Sequence, residues 1–171
     1  MNVLIFGAGN LLLSDEGFGV HAIRYLADQY RFDDEVELYD GGTLGFMASH
    51  KLEEARQVFM IDVVTTPGEP GQLYRFEKDD FILRRIPVKM SPHQLGIQEM
   101  LLLSELRGRC PDKVTLLGVV PGSLEAGVEL TPPLRARLPE LAGLLQNELQ
   151  AAGIRMERRP PGTPGASPAR H

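Results

Sequence analysis

Residues 3–20 read VLIFGAGNLLLSDEGFGV, and this stretch decides the fold. Val3-Leu4-Ile5-Phe6 is an apolar run too short for a helix and suited to a buried strand. Gly7-Ala8-Gly9-Asn10 stops it with turn residues. Ser14 is placed to cap a helix, with Asp15 and Glu16 in the first turn, where carboxylates are favoured. Apolar residues then recur at helical spacing through Ile23, Leu26 and Tyr30. The unit is strand, glycine loop, helix, with a carboxylate pair in the mouth of the loop.

A dinucleotide-binding turn is the first alternative, and the residues oppose it. That fingerprint needs a third glycine where Leu12 stands. It also needs a helix start free of negative charge, because the pyrophosphate sits there, and Asp15 and Glu16 would repel it. Carboxylates at a loop mouth suit a cation.

Composition sets the outer limits. A chain of 171 residues with 43% hydrophobic content fits one domain with a real core. A net charge of −5 argues against nucleic acid as the main partner. Cys110 is the one cysteine, so no internal disulfide framework exists. The start lacks a basic n-region, and no apolar run reaches membrane-spanning length, so a cytoplasmic protein is expected.

Outward from the opening unit, Glu35–Tyr39 alternates as an edge or half-buried strand does and leads into Asp40-Gly41-Gly42-Thr43. Those four residues read either as a tight turn or as a catalytic or binding loop. Leu44–Ala55 has helical spacing. Val58-Phe59-Met60-Ile61 is a central strand buried on both faces. Asp62 follows at its carboxyl end, as a ligand or as the cap of the next turn. Gln72–Phe76 reads as a short edge strand, and Lys78–Lys89 as a mobile segment or short helix. Ser91-Pro92-His93-Gln94 has the marks of a helix start: a cap, a proline at the first position and a capping-box glutamine. His93 then lies in the first turn, where the dipole favours the neutral imidazole that a metal requires; a surface or capping role is the alternative. Val114–Val120 is a second buried strand, and a helix from Thr131-Pro132-Pro133 runs to Gly153. From Arg158 onward the sequence is rich in Pro, Gly and Ser. The expected organisation is one domain over 1–157 and a disordered tail over 158–171.

Strand and helix alternate, so the expected fold is α/β with a mostly parallel sheet. Glu16, Asp40 and Asp62 follow the first three strands. In a parallel sheet they share one edge, and His93 opens a later helix. That convergence points to an oxygen-and-imidazole metal site with open positions, facing solvent, where substitutions cost little stability. Neither a His-Glu-x-x-His motif nor a Gly-x-Ser-x-Gly elbow is present. Cys110, next to Pro111 and without a histidine nearby in sequence, reads as inert.

Taken together, these residues resemble the hydrogenase maturation endopeptidases. The resemblance spans roughly residues 1–153 and rests on ordered matches. They are Gly7–Asn10 with Ser14–Gly17, Asp40–Thr43, Ile61-Asp62, Ser91–Gly96, Gly118–Ser123 and Leu130-Thr131-Pro132. Val120 departs from it, since relatives often carry a polar residue before the proline. The resemblance implies a three-layer α/β/α sandwich on a five-stranded mixed sheet with one antiparallel strand, for which Gln72–Phe76 is the candidate. It implies removal of a C-terminal extension from the large-subunit precursor of a nickel-iron hydrogenase after nickel insertion. It assigns Glu16, Asp62 and His93 to the metal, which is the nickel carried by the precursor. Asp40 is assigned to cleavage, with Glu16 and Asp62 sharing in catalysis. Gly41, Gly42 and Thr43 are assigned to the substrate. A cytoplasmic monomer acting on that precursor, with neither nucleic acid nor membrane, is the corresponding expectation. A nickel-binding maturation chaperone with the same ligands and no hydrolysis is the alternative.

Overall fold

The computed structural model describes residues 2–43, 49–82, 92–165 and 167–170, excepting the side chains of 81–82, 92–98 and 170. The opening strand is β1, Val3–Ala8. A 3-10 turn, Ser14–Gly17, leads into α1, Phe18–Gln29. Then follow β2 (Tyr30–Phe32), β3 (Val36–Gly42), α2 (Ser49–Glu54), β4 (Gln57–Val63), β5 (Leu73–Glu77) and α3 (Lys78–Ile82). The second half holds α4 (Pro92–Leu106), β6 (Lys113–Val119), α5 (Pro132–Arg135), α6 (Leu138–Ala151), β7 (Met156–Arg158) and β8 (Ala169–Arg170).

The main sheet has the order β5-β6-β4-β1-β3, with the two-residue β8 added outside β3. β3, β1, β4 and β6 run parallel, and β5 is antiparallel to β6. The expected five-stranded mixed sheet is therefore present, with its antiparallel strand where Gln72–Phe76 was read.

Alternation along β1 divides the core between the two faces of the sheet. Val3 and Ile5 join Phe18, Ile23 and Leu26 of α1 and Leu141, Leu145 and Leu149 of α6. Leu4 and Phe6 join Leu52 of α2 and Met100 and Leu101 of α4 on the opposite face. Helices thus cover both faces, which is the three-layer sandwich.

Some boundaries differ from the sequence reading. Ser14 does not cap α1: its φ is +48°, and its hydroxyl donates to the Glu125 carbonyl. Of the expected helix over Leu44–Ala55, α2 covers the end, and 44–48 lie outside the described residues. The last helix is split into α5 and α6. The segment after 157 is placed in part against the domain. β7 pairs antiparallel with β2, the Arg159 N–H donates to the Gln29 carbonyl, and β8 pairs parallel with β3.

Candidate active site

β3 lies on one side of β1 and β4 on the other, so the chain changes direction across the sheet between them. In open parallel sheets the crevice at such a reversal, beyond the carboxyl ends of the strands, is where ligands bind. The turn after β1 carries Glu16, the end of β4 carries Asp62, and the end of β3 carries Asp40. All three lie at this edge of the sheet.

Two glycines make the arrangement sterically feasible. Gly9 has φ +146°, and a Cβ there would sit 2.0 Å from the Glu16 carbonyl oxygen. Only glycine lets the turn fold back this tightly, and the Asn10 N–H donates to that same carbonyl at 3.2 Å. A Cβ on Gly19 would meet the carbonyl oxygens of Ala8 and Ile61, each at 2.2 Å. Its absence seats the start of α1 directly on the ends of β1 and β4.

The carboxylates are buried, which corrects the expectation of a solvent-facing site. Glu16 is 9% exposed, Asp40 7% and Asp62 1%. The fold screens these charges from water, raising the strength of any interaction with an arriving cation. Asp62 Oδ1 accepts its neighbour's amide, Val63 N–H, at 2.7 Å. Asp40 forms an ion pair at 3.5 Å with Arg24, which reaches over from α1. The Asp40-Gly41-Gly42 segment is not a free loop: it forms the last part of β3, and Thr43 begins the turn beyond it. Gly41 packs on Phe6, whose ring a Cβ would strike at 2.3 Å.

α4 begins at Pro92, so His93 lies in its first turn, as read; its side chain is outside the described residues. Among the described residues no three His, Cys, Asp or Glu side chains stand close enough together to hold a metal. Glu16 and Asp62 supply two hard oxygen donors on adjoining elements, a donor type that fits divalent cations when completed by an imidazole.

Sequence reasoning underrated Asp15. Its side chain is fully buried and is bound by the 122–131 segment. It accepts from the N–H groups of Gly122, Ser123 and Thr131 and from the Thr131 hydroxyl, at 2.7–3.0 Å. Ser14 adds two more ties, to Gly127 and Glu125. The sequence signal was the pairing of a buried-turn Asp with a distant Pro-Gly-Ser and Thr-Pro. Cys110 lies outside this constellation: burial pushes its thiol pKa up, outweighing the downward pull of Lys78 Nζ 3.8 Å away, which keeps it a poor nucleophile.

Comparison with known proteins places this geometry in a family. The family model for hydrogenase maturation proteases matches residues 20–148. A hydrogenase expression/formation protein, HupD of Bradyrhizobium diazoefficiens, is 38% identical over 92% of this chain and 82% of its own length. The hydrogenase 2 maturation protease of Escherichia coli is 33% identical over 90% of this chain and 94% of its own. Among solved structures, the hydrogenase maturating endopeptidase HybD from E. coli superposes with a TM-score of 0.87. It is 31% identical and covers 93% of this chain and 98% of that one. The chain, matched nearly end to end by these proteins, belongs to the hydrogenase maturation protease family.

Proposed function

We propose that this protein is an endopeptidase that removes the C-terminal extension of a nickel-iron hydrogenase large-subunit precursor once nickel has been inserted. The observation that carries this reading is the placement of Glu16, Asp40 and Asp62 at one carboxyl edge of a parallel sheet. The nickel arrives with the substrate. Glu16, Asp62 and His93 bind it and so fix the precursor's tail over the crevice, which converts recognition of the metal into positioning of the scissile bond. Bound there, the ion polarises a carbonyl or a water.

Asp40 is the group assigned to cleavage. Its carboxylate accepts a proton from the attacking water and returns it to the departing amine. Arg24 holds it in place from α1. Glu16 and Asp62 would contribute by holding that ion, whose Lewis acidity would assist the same step. Gly41, Gly42 and Thr43 let the substrate backbone approach closely. This makes the enzyme an aspartic-type peptidase dependent on its substrate's metal. It acts in the cytoplasm as a monomer, with neither nucleic acid nor a membrane as partner. No helix among the described residues is long and apolar enough to cross a membrane.

The test is mass spectrometry of nickel-loaded and nickel-free precursor, each incubated with the protein. Shortening of the nickel-loaded form alone is expected. Equal shortening of both would remove nickel recognition, and shortening of neither by a folded protein would favour a nickel-binding chaperone.

A further inference from the structure

Among the described residues after Arg158, β8 is the part that joins the main sheet. It pairs with the outer edge of β3 in parallel, with Ala169 opposite Tyr39 and Arg170 opposite Asp40. Ala169 packs onto the same apolar cluster as Phe6 and Tyr39. The pairing covers two of the seven residues of β3. Below it, a groove of about 640 Å³ continues along the edge, lined by apolar Phe32, Val36 and Leu38, by charged Asp33 and Glu37, and by Pro168 of the tail. An extended chain longer than β8 thus has both a backbone template and room for its side chains. An exposed strand edge is a template for such pairing, with main-chain hydrogen bonds giving affinity and alternate pockets giving selectivity.

Direction matters more than occupancy. A strand parallel to β3 runs toward the carboxyl edge of the sheet, where Asp40, Glu16 and Asp62 lie. A polypeptide that adds here in the parallel sense of β8 is delivered, C-terminal part foremost, past Asp40.

We propose that the outer edge of β3 at Tyr39–Asp40 is the docking strand for the extended C-terminal segment of the protein substrate, and that this chain's own residues Ala169–Arg170 occupy it as a tethered competitor. The proposal rests on the peptidase reading given above. Ala169, opposite Tyr39, is small and apolar and packs partly buried on that cluster. Tethering gives the tail a high local concentration at the edge, so substrate must displace it.

The test uses the full chain and the full-length double variant Ala169→Pro/Arg170→Pro, which removes both backbone donors of β8. In fluorescence anisotropy, a labelled peptide of sequence GASPARH, matching residues 165–171, should bind the variant at least tenfold more tightly than the unaltered chain. In the processing assay, KM for nickel-loaded precursor should fall at least threefold while kcat holds. On the unaltered chain, saturating peptide should raise amide hydrogen exchange in 167–170 and leave β3 protected, a reading independent of any substitution. Equal peptide affinity for both chains, or unchanged exchange in 167–170, overturns the proposal. So does a variant that dimerises on size exclusion without gaining peptide affinity, which would make the edge a self-association surface. Because the peptide and exchange arms need neither nickel nor hydrolysis, they decide the docking edge even if no precursor is cleaved.

Discussion

Asp15 binds Thr131 through both of its oxygens: Oδ1 accepts the Thr131 backbone N–H at 2.7 Å, and Oδ2 accepts its hydroxyl at 2.8 Å. With Gly122 and Ser123 also donating to Oδ2, one buried carboxylate holds the turn that carries Glu16 to the segment that leaves β6. Asp15→Ala takes the acceptor from three backbone donors in a part-buried place, each loss costing up to about 1–3 kcal/mol. Urea unfolding should show a loss of roughly 3–5 kcal/mol. A loss under about 1 kcal/mol would mean that water replaces the carboxylate without strain.

The metal and cleavage roles should separate by substitution. Glu16→Ala, Asp62→Ala and His93→Ala should each weaken nickel binding in calorimetry by at least about tenfold and abolish processing. Asp40→Ala should stop or misdirect processing while nickel affinity stays within about twofold, since Asp40 is engaged by Arg24 on the β3 side of the crevice. A parallel fall in nickel affinity for Asp40→Ala would place it among the ligands instead.

His21 on α1 gives a pH-dependent stability. Burial, aided by Arg24 and Arg135, pushes its pKa below 6.5, against the weaker pull of Val128 and Glu129. Its Nε2 is buried and has no hydrogen-bond partner among the described residues. The unfolded chain therefore binds a proton more readily than the folded one. The contribution of the neutral ring is complete above pH 6.5 and is lost as pH falls from there through the lower folded value. Urea midpoints taken from pH 8 to pH 5 should fall on the acid side, and His21→Gln should flatten that fall. Equal slopes in the two proteins would rule His21 out as the source.

The layered architecture was legible because its signals are long. β1, β4 and β6 are apolar runs buried on both faces, and α1, α4 and α6 carry helical spacing over three turns or more. The antiparallel β5 was readable as an edge from its alternation. β2, β7 and β8 were not, because two- and three-residue strands hold no period to detect. Placing Glu16, Asp40 and Asp62 on one edge followed from parallel topology alone. Their burial did not, because it depends on contacts between elements remote in sequence, such as Gly19 at the start of α1 seated against the Ala8 and Ile61 carbonyls. Ser14 was misread as a cap for the same reason: its partner, Glu125, is remote in sequence.

The reversal of chain direction between β1 and β4 has a consequence for biogenesis. Glu16 and Asp62 come from separate crossovers, and β1 and β4 pair only after β3 and α2 have been made. A nascent chain that has emerged through the first crossover holds one carboxylate of the crevice and no second wall for it. The crevice comes into being only once β4 has paired with β1, so a fragment that stops short of β4 has the Glu16 turn without the Asp62 side of the crevice.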